Sequence, residues 1–342
     1  MNFEQQLKAL VYFHLEEHES GRDLIQTLEE DDFARTAIAP PKGIKKSSFS
    51  EAINTRGLEQ LTYVFEHLHT QAYGTLPAKY SKLGELIAID GSLIDAVLSM
   101  HWADYSKNSK KAKVHLGFNI NRSIPSKIFL TNGKGAERPF VEKILSPGQT
   151  SVTDRGYQHH GRFDLWHRDG KYYVCRMKAN TTKEVIRTNG INENSIIFYD
   201  AVVLLGTPNV NQTEEEVRLV AYLVKGKEYW IATNRFDLTA EEIAMIYKLR
   251  WEIEKFFAWW KRHLKVYHII ARSEYGLMVQ ILSGLITYLL IAIYCYKNYN
   301  EKVSITRVRS LRIAIRNESR TFSFLYSLNL KPENNYDLYA KT

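Results

Sequence analysis

Residues Tyr247 to Lys261 read YKLRWEIEKFFAWWK, which places an arginine, a glutamate and a lysine at fixed intervals after the opening tyrosine. At about 100° of turn per helical residue, Tyr247, Arg250, Glu254 and Lys261 fall within a sector roughly 60° wide. Ile246, Leu249, Ile253, Phe256, Phe257, Trp260 and Leu264 form the adjoining apolar stripe. One face packs, and its edge carries a carboxylate flanked by a phenol, a guanidinium and an ammonium. Such an edge suits a metal-dependent enzyme acting on a phosphate polymer, because the carboxylate holds Mg²⁺ and the donors hold phosphate oxygens. The same four residues also suit an ordinary solvated helix, so what the chain brings beside them decides between the two.

Upstream, the pattern is that of strands. Leu86 to Ser92, LIAIDGS, is an apolar run that ends in a carboxylate and a glycine, as expected of a buried strand delivering an acid at its end. Lys113 to Ile120 alternates in period two, and Lys127 to Leu130 is a further strand before the Asn132-Gly133 turn, which together predict an antiparallel meander. Thr150 to Thr153 leads into Asp154-Arg155-Gly156-Tyr157, a second strand handing over an acid. Residues 161–235 are rich in β-branched and aromatic runs and read as a β insertion between the second acid and the long helix. Thr239-Ala240-Glu241-Glu242 opens that helix as a capping box.

The flanks are helical. Phe3 to Leu15, Ser20 to Glu29 and Gly57 to Gln71 have helical apolar spacing, broken by Pro40-Pro41. A helix entering through Ser48 or Ser50 would set Lys45 and Lys46 against a phosphate backbone or simply be capped. Arg307, Arg309, Arg312, Arg316 and Arg320 fall on a C-terminal helix that suits either DNA or solvent. The organisation expected is therefore 1–82 helical with possible DNA-end binding, 83–300 catalytic, and 301–342 basic and helical.

Composition narrows the partner. A formal net charge of +8, from 46 Lys and Arg against 38 Asp and Glu, favours an anionic partner, and nucleic acid leads. Cys175 and Cys295 are too few and too unrelated for a disulfide framework or a thiolate zinc site, which fits a reducing cytoplasm. No secretory leader is expected from Met1 to Leu10, which carries Glu4 and Lys8. Tyr275 to Tyr296 has no charged residue, yet Gln280, Ser283 and Thr287 dilute it, so a helix buried in a soluble core is expected and not a membrane span. Asp95 is expected on a helix after the first strand, with His101 and Asp104 at the surface. His159-His160 near Asp154 is poor company for Mg²⁺.

If Asp90, Asp154 and Glu254 converge, they make an oxygen-only site suited to two Mg²⁺ or Mn²⁺ ions, which would lie roughly 3.5–4 Å apart and serve both attacking and leaving oxygens. Arg250 and Lys261 would then hold the strand and neutralise phosphate. At these residues the chain resembles the DDE transposases of bacterial insertion sequences, in the group named for its YREK signature. AIDGS at Asp90, TDRGY at Asp154, Thr233-Asn234 and the spacing from Tyr247 to Lys261 carry the resemblance, which covers about Leu83 to Tyr296. GRDLIQTLEE and KKSSFSEAINTRG extend it weakly toward the N-terminus.

The resemblance implies a ribonuclease-H-like α/β core with Asp90, Asp154 and Glu254 as catalytic metal ligands. It implies DNA contacts from Tyr247, Arg250 and Lys261, and cut-and-paste transposition by a homodimer on double-stranded DNA, the partners being terminal inverted repeats and target DNA. Strand nicking, a hairpin intermediate and strand transfer belong to that picture, as does an aromatic residue of the β insertion stacked on a flipped base. Tyr229 and Trp230 both stand near the matching position, and core packing suits either. The expected setting is a bacterial cytoplasm, on the nucleoid. Two alternatives stay open: an inactive or truncated copy that binds element ends without cutting, and a general structure-selective nuclease on the same fold.

Overall fold

The computed structural model describes residues 1–107, 109–266 and 268–327, without the side chains of 322–327. Helices α1 (Phe3–Leu15), α2 (Gly21–Glu30), α3 (Lys46–Thr55) and α4 (Leu58–Thr75) come first. They lead into β1 (Glu85–Ala96), β2 (Asp104–Ser106), β3 (Ser109–Asn119), β4 (Ile124–Asn132), α5 (Pro139–Ile144) and β5 (Gln149–Thr153). Helix α6 (His160–Arg168) precedes β6 (Tyr172–Arg176), β7 (Lys183–Thr188), β8 (Ile197–Leu205), β9 (Val217–Val224) and β10 (Lys227–Thr233). The chain continues with α7 (Ala240–Leu249), α8 (Trp251–His263), α9 (Glu274–Tyr299) and α10 (Ile305–Ser327).

The strands form one mixed sheet in the order β2-β3-β1-β5-β6-β10-β9-β8-β7, with β4 also on β3. β1, β3 and β4 are the expected antiparallel meander, whereas β1–β5 and β5–β6 are parallel. This mixed α/β architecture is consistent with a ribonuclease-H-like fold. Within 161–235, α6 covers the sheet and β6 joins its parallel part, so only β7 to β10 extend it outward.

Strand alternation divides the core. Leu86 and Ala88 of β1 face the cluster that contains Leu10, Phe65, Phe257, Leu285 and Leu289, from α1, α4, α8 and α9. Ile87 and Ile89 face the other, with Val141, Phe163 and Trp166 of α5 and α6. The N-terminal helices thus share one apolar interior with the sheet. Helix α9 is long and apolar enough to cross a bilayer, but 89% of its most apolar window is buried inside the fold. Its polar residues are satisfied there: Gln280 accepts from Ile270 N–H at 3.0 Å and donates to His268 O at 2.9 Å, and Thr287 donates to Ser283 O at 2.8 Å. The expectation of a buried core helix is met.

His14 ties these layers together. Fully buried on α1, it donates from Nδ1 to Leu264 O just past α8, and its Nε2 lies 3.0 Å from Ser283 Oγ on α9. Burial pushes its pKa down to about 4. The unfolded chain takes up a proton near the ordinary value of about 6.5 that the folded chain refuses, so the stability His14 contributes is complete above that pH. It is lost as pH falls toward 4, by about 3 kcal/mol at most. His14→Ala should cost about 2–5 kcal/mol near neutrality, and its deficit against wild type should shrink in urea unfolding at about pH 5. A deficit that stays constant with pH would show that His14 is not held neutral.

Several expectations are corrected by the structure. β1 does not stop at Gly91: it runs to Ala96 because β3 pairs with it from Ile87↔Asn119 to Ala96↔Lys110. Asp95 is therefore on this strand, 2.8 Å from Lys111, and not on a helix, while Asp104 pairs with Lys134 at 2.7 Å. Helix α3 begins at Lys46 with Lys45 as an N-cap that makes no side-chain bond, so Ser48 and Ser50 lie inside it and open nothing. The helix expected from Thr239 onward has its capping box, Thr239 with Glu242, but divides at Arg250. There the N–H turns to Tyr247 O at 3.1 Å, a tighter 3₁₀-type bond. Most of the C-terminal arginines are tied to the fold: Arg309 to Glu17, Arg312 to Glu16, Arg316 to Glu16 and Tyr12, and Arg307 to Glu301.

Candidate active site

The parallel ladder between β1 and β5 brings two acids together. Its last pair is Ala88↔Val152, and Asp90 and Asp154 each stand two residues further on. Equal offsets from one register pair put both carboxylates at the same level on the same face of neighbouring strands, which run about 4.8 Å apart. Beyond that level the strands part, since β5 ends at Thr153 while β1 continues along β3. A crevice outside the carboxyl ends of parallel strands, where neighbours diverge, is where open α/β sheets hold ligands.

Each acid is fixed locally. Asp90 Oδ1 accepts from Gly91 N–H at 2.8 Å. Asp154 caps the turn after β5, with Oδ1 accepting from Gly156 N–H at 2.7 Å, and Arg138 Nε donates to Gly156 O at 2.9 Å. Burial pushes the Asp90 pKa up to about 6; the Gly91 hydrogen bond and the Arg250 charge oppose this, and Asp154 and Glu137 add to it. Repulsion between two such carboxylates is what a hard cation bound by oxygen ligands would relieve.

Helix α8 lies along β1 on the same face as Asp90. Lys261 Nζ donates to Leu93 O at 3.0 Å, which fixes its far end. At its near end Arg250 Nη2 is 2.7 Å from Glu254 Oε1. Arg250 is only 9% exposed, and its Nε is buried with no hydrogen-bond partner. Its charge reaches both Glu254 and Asp90. Among the described residues no three His, Cys, Asp or Glu side chains stand close enough to hold one ion, and Glu254 is engaged by this guanidinium.

Tyr229 and Trp230, adjacent on β10, point to opposite faces of the sheet. Tyr229 stacks on Tyr222 at 5.2 Å, lies 6.1 Å from the buried Tyr247 and carries the Arg176 guanidinium over its ring at 4.9 Å. Trp230 packs on Tyr199 and Phe198 on the far side, with Lys183 over its ring at 4.7 Å. Only Tyr229 thus belongs with the Tyr247–Arg250 side. Thr233 and Asn234 are structural: Thr233 donates to Tyr173 O, and Asn234 bonds Tyr173 N–H and Lys171 O. His159 is exposed and His160 bonds Asn211 O, so neither joins the acids.

Two further residues, Glu137 and Tyr157, lie near the acids without having been singled out from the sequence as site residues. Glu137, between β4 and α5, is 3.1 Å from Lys113 Nζ, and its charge falls on Asp90. Tyr157 is 1% exposed, with its hydroxyl next to Glu137. Burial first, then Glu137, Asp90 and Asp154, raise its pKa well above the ordinary range. A glutamate two residues before Pro139 reads as an ordinary helix-start residue, so local pattern gives no hint of Glu137.

The chain resembles known proteins over much of its length. The family described as "Transposase DDE domain" matches residues 81–290. "Probable transposase for insertion sequence element IS5377" of Geobacillus stearothermophilus is 28% identical over 194 residues, 56% of this chain and 51% of that protein. "Putative transposase for insertion sequence element IS4SA" of Synechocystis sp. is 26% identical over 257 residues, 72% and 70% of the two chains. The chain thus aligns with about half the length of the first of these relatives. Asp90, Asp154 and Glu254 all fall inside a family match that spans more than half of the sequence, and the chain belongs to the transposase DDE domain family.

Proposed function

We propose that this chain is a DNA transposase of an insertion sequence, in the YREK-signature group, that cuts element ends and joins them to target DNA. The observation that carries the reading is the equal offset of Asp90 and Asp154 from the Ala88↔Val152 pair of the parallel strands, with Arg250 paired to Glu254 and its charge acting on Asp90. Asp90, Asp154 and Glu254 would hold the divalent ions, Mg²⁺ or Mn²⁺. When bound, the ions supply Lewis-acid stabilisation of the attacking and leaving oxygens. The chain's own part is position and charge: Arg250 and Lys261 offer cations to backbone phosphates, and Tyr247 fixes the helix edge from within the core. Tyr229, beside Tyr247 and Arg176, is the better placed of the two aromatics to meet an unpaired base, where stacking contributes about 1–3 kcal/mol. A homodimer on paired element ends and a hairpin intermediate belong to the same reading.

Glu254→Gln tests it. Mg²⁺-dependent cleavage of the chain's own element ends should disappear, while a gel shift on the same DNA persists, because one neutralised carboxylate adds no negative charge against phosphate. Wild-type-like cleavage by this variant rejects the assignment. Wild-type chain that shifts the DNA but cuts nothing in Mg²⁺ or Mn²⁺ is instead an end-binding protein.

A further inference from the structure

A cavity of about 510 Å³ lies between the β3–β4 turn, α8, the C-terminal half of α9 and the loop into α10. That size is ordinary for a small-molecule site. Its wall is a chain of packed rings: Phe118 is 5.0 Å from Phe256, Phe256 is 4.9 Å from Tyr288, and Tyr288 is 5.2 Å from Trp259. Phe118, Phe256 and Tyr288 are buried, and Trp259 is half-buried. Glu252, Phe256 and Trp259 stand about 140–200° round α8 from Glu254, so the cavity opens on the side of that helix away from the candidate active site.

Two ammoniums meet at its rim. Lys79 and Lys302 both line the cavity, and their side chains are within hydrogen-bond reach of each other. Among the described residues neither has a carboxylate within ion-pair distance, because Glu301 is paired with Arg307 and Glu252 with Lys255, both at 2.7 Å. The two stems start from fixed backbone. Lys79 N–H donates to Asn121 O at 2.9 Å and Lys79 O accepts from Asn121 Nδ2 at 2.8 Å. Asn300, in the left-handed region at φ 52°, turns α9 into the Lys302 loop. Like charges this close repel, and the Lys302 charge is the first cause that lowers the Lys79 pKa. An anion held between them replaces that repulsion with two charge-assisted hydrogen bonds.

A bare inorganic anion would leave the rings facing water, and an uncharged aromatic would leave the ammoniums opposed. A phosphate joined to a planar base satisfies both, because a base stacks on an aromatic face while its phosphate takes the cations. We propose that this cavity binds a mononucleotide unit, with its phosphate between Lys79 and Lys302 and its base against Trp259. The unit is either a free nucleotide or an unpaired residue of a DNA strand, and the site stands apart from the ion-dependent chemistry proposed for Asp90 and Asp154.

Calorimetric titration of the whole chain with dAMP, in EDTA so that the acids hold no ion, tests this. Lys79→Gln and Lys302→Gln should each weaken binding about 10-fold, and Trp259→Leu should weaken it by about as much. Inorganic phosphate should bind more weakly than dAMP and be indifferent to Trp259→Leu. Thermal unfolding checks that each variant is folded. A short single strand that competes with dAMP, where the same sequence as a duplex does not, identifies DNA as the source of the unit; dAMP binding without such competition identifies a free nucleotide. No binding of dAMP by wild type, or binding unchanged in the Lys79→Gln, Lys302→Gln double variant, overturns the inference. Equal affinity for phosphate and dAMP, with no effect of Trp259→Leu, overturns the assignment of a base.

Discussion

Asp90→Asn should leave the chain unable to cut DNA and, in EDTA at neutral pH, more stable than wild type. The Asp90 carboxyl has its pKa raised from 3.8 to about 6, by burial first and by Asp154 and Glu137 after it. A raised acid binds more protons folded than unfolded between those values, so wild-type stability falls as pH rises through that window and the whole penalty persists above it. At about 1.4 kcal/mol per unit the charged form costs about 3 kcal/mol at most. Asparagine removes the charge and keeps an Oδ1 to accept from Gly91 N–H, so it recovers most of that cost. Urea unfolding near pH 7 should place the variant above wild type, and the gap should close near pH 4. Mg²⁺ should raise the wild-type midpoint and not the variant's. Equal stabilities at neutral pH would mean that Asp90 is not held against its own charge.

That trade of stability for chemistry explains which parts of the site a sequence can disclose. Asp154 was legible in place and geometry, because a strand end, an acid and a glycine two residues on make a local turn that needs nothing from elsewhere. Asp90 was legible as an acid but not in its position within a twelve-residue strand. What carries β1 past Gly91 is its ladder with β3, a pairing between distant residues, and the glycine that looked like a stop serves to admit Glu137. The break at Arg250 escaped helical periodicity because Arg250 keeps α-region angles, φ −52° and ψ −32°, on both sides of the change.

Charge was harder still to read. The C-terminal arginines have the spacing of a DNA-facing helix, and nothing nearby in sequence announces that Glu16 and Glu17 occupy them from the other end of the chain. Tyr229 and Trp230 were indistinguishable by composition. Alternation says only that neighbours on a strand face opposite ways, and the choice of face depends on where α7 lands, beside Tyr229. In each case local chemistry was correct and the missing information was a partner far along the chain.

Arg250 offers the sharpest test of how those partners share work. Its guanidinium is 2.7 Å from Glu254 and also faces Asp90, with its Nε unpartnered. Arg250→Gln keeps much of the side-chain length and loses the charge, so Glu254 loses its ion-pair partner and Asp90 loses a neighbouring cation. Removing one partner of a fully buried pair costs about 3–5 kcal/mol. The Glu254 side chain is 33% exposed, so solvent screening lowers the expected loss to about 1–3 kcal/mol. The loss should appear in EDTA and be largely recovered in Mg²⁺, because an ion among the carboxylates supplies the charge that the guanidinium supplied. Cleavage should fall even in saturating Mg²⁺, since the ion replaces Arg250 against Glu254 but not against a DNA phosphate. Thermal unfolding with and without Mg²⁺, paired with cleavage of element ends, reads both effects. A variant as stable as wild type in EDTA would show that Glu254 needs no counter-ion, and recovery of cleavage by Mg²⁺ would remove Arg250 from the DNA contact.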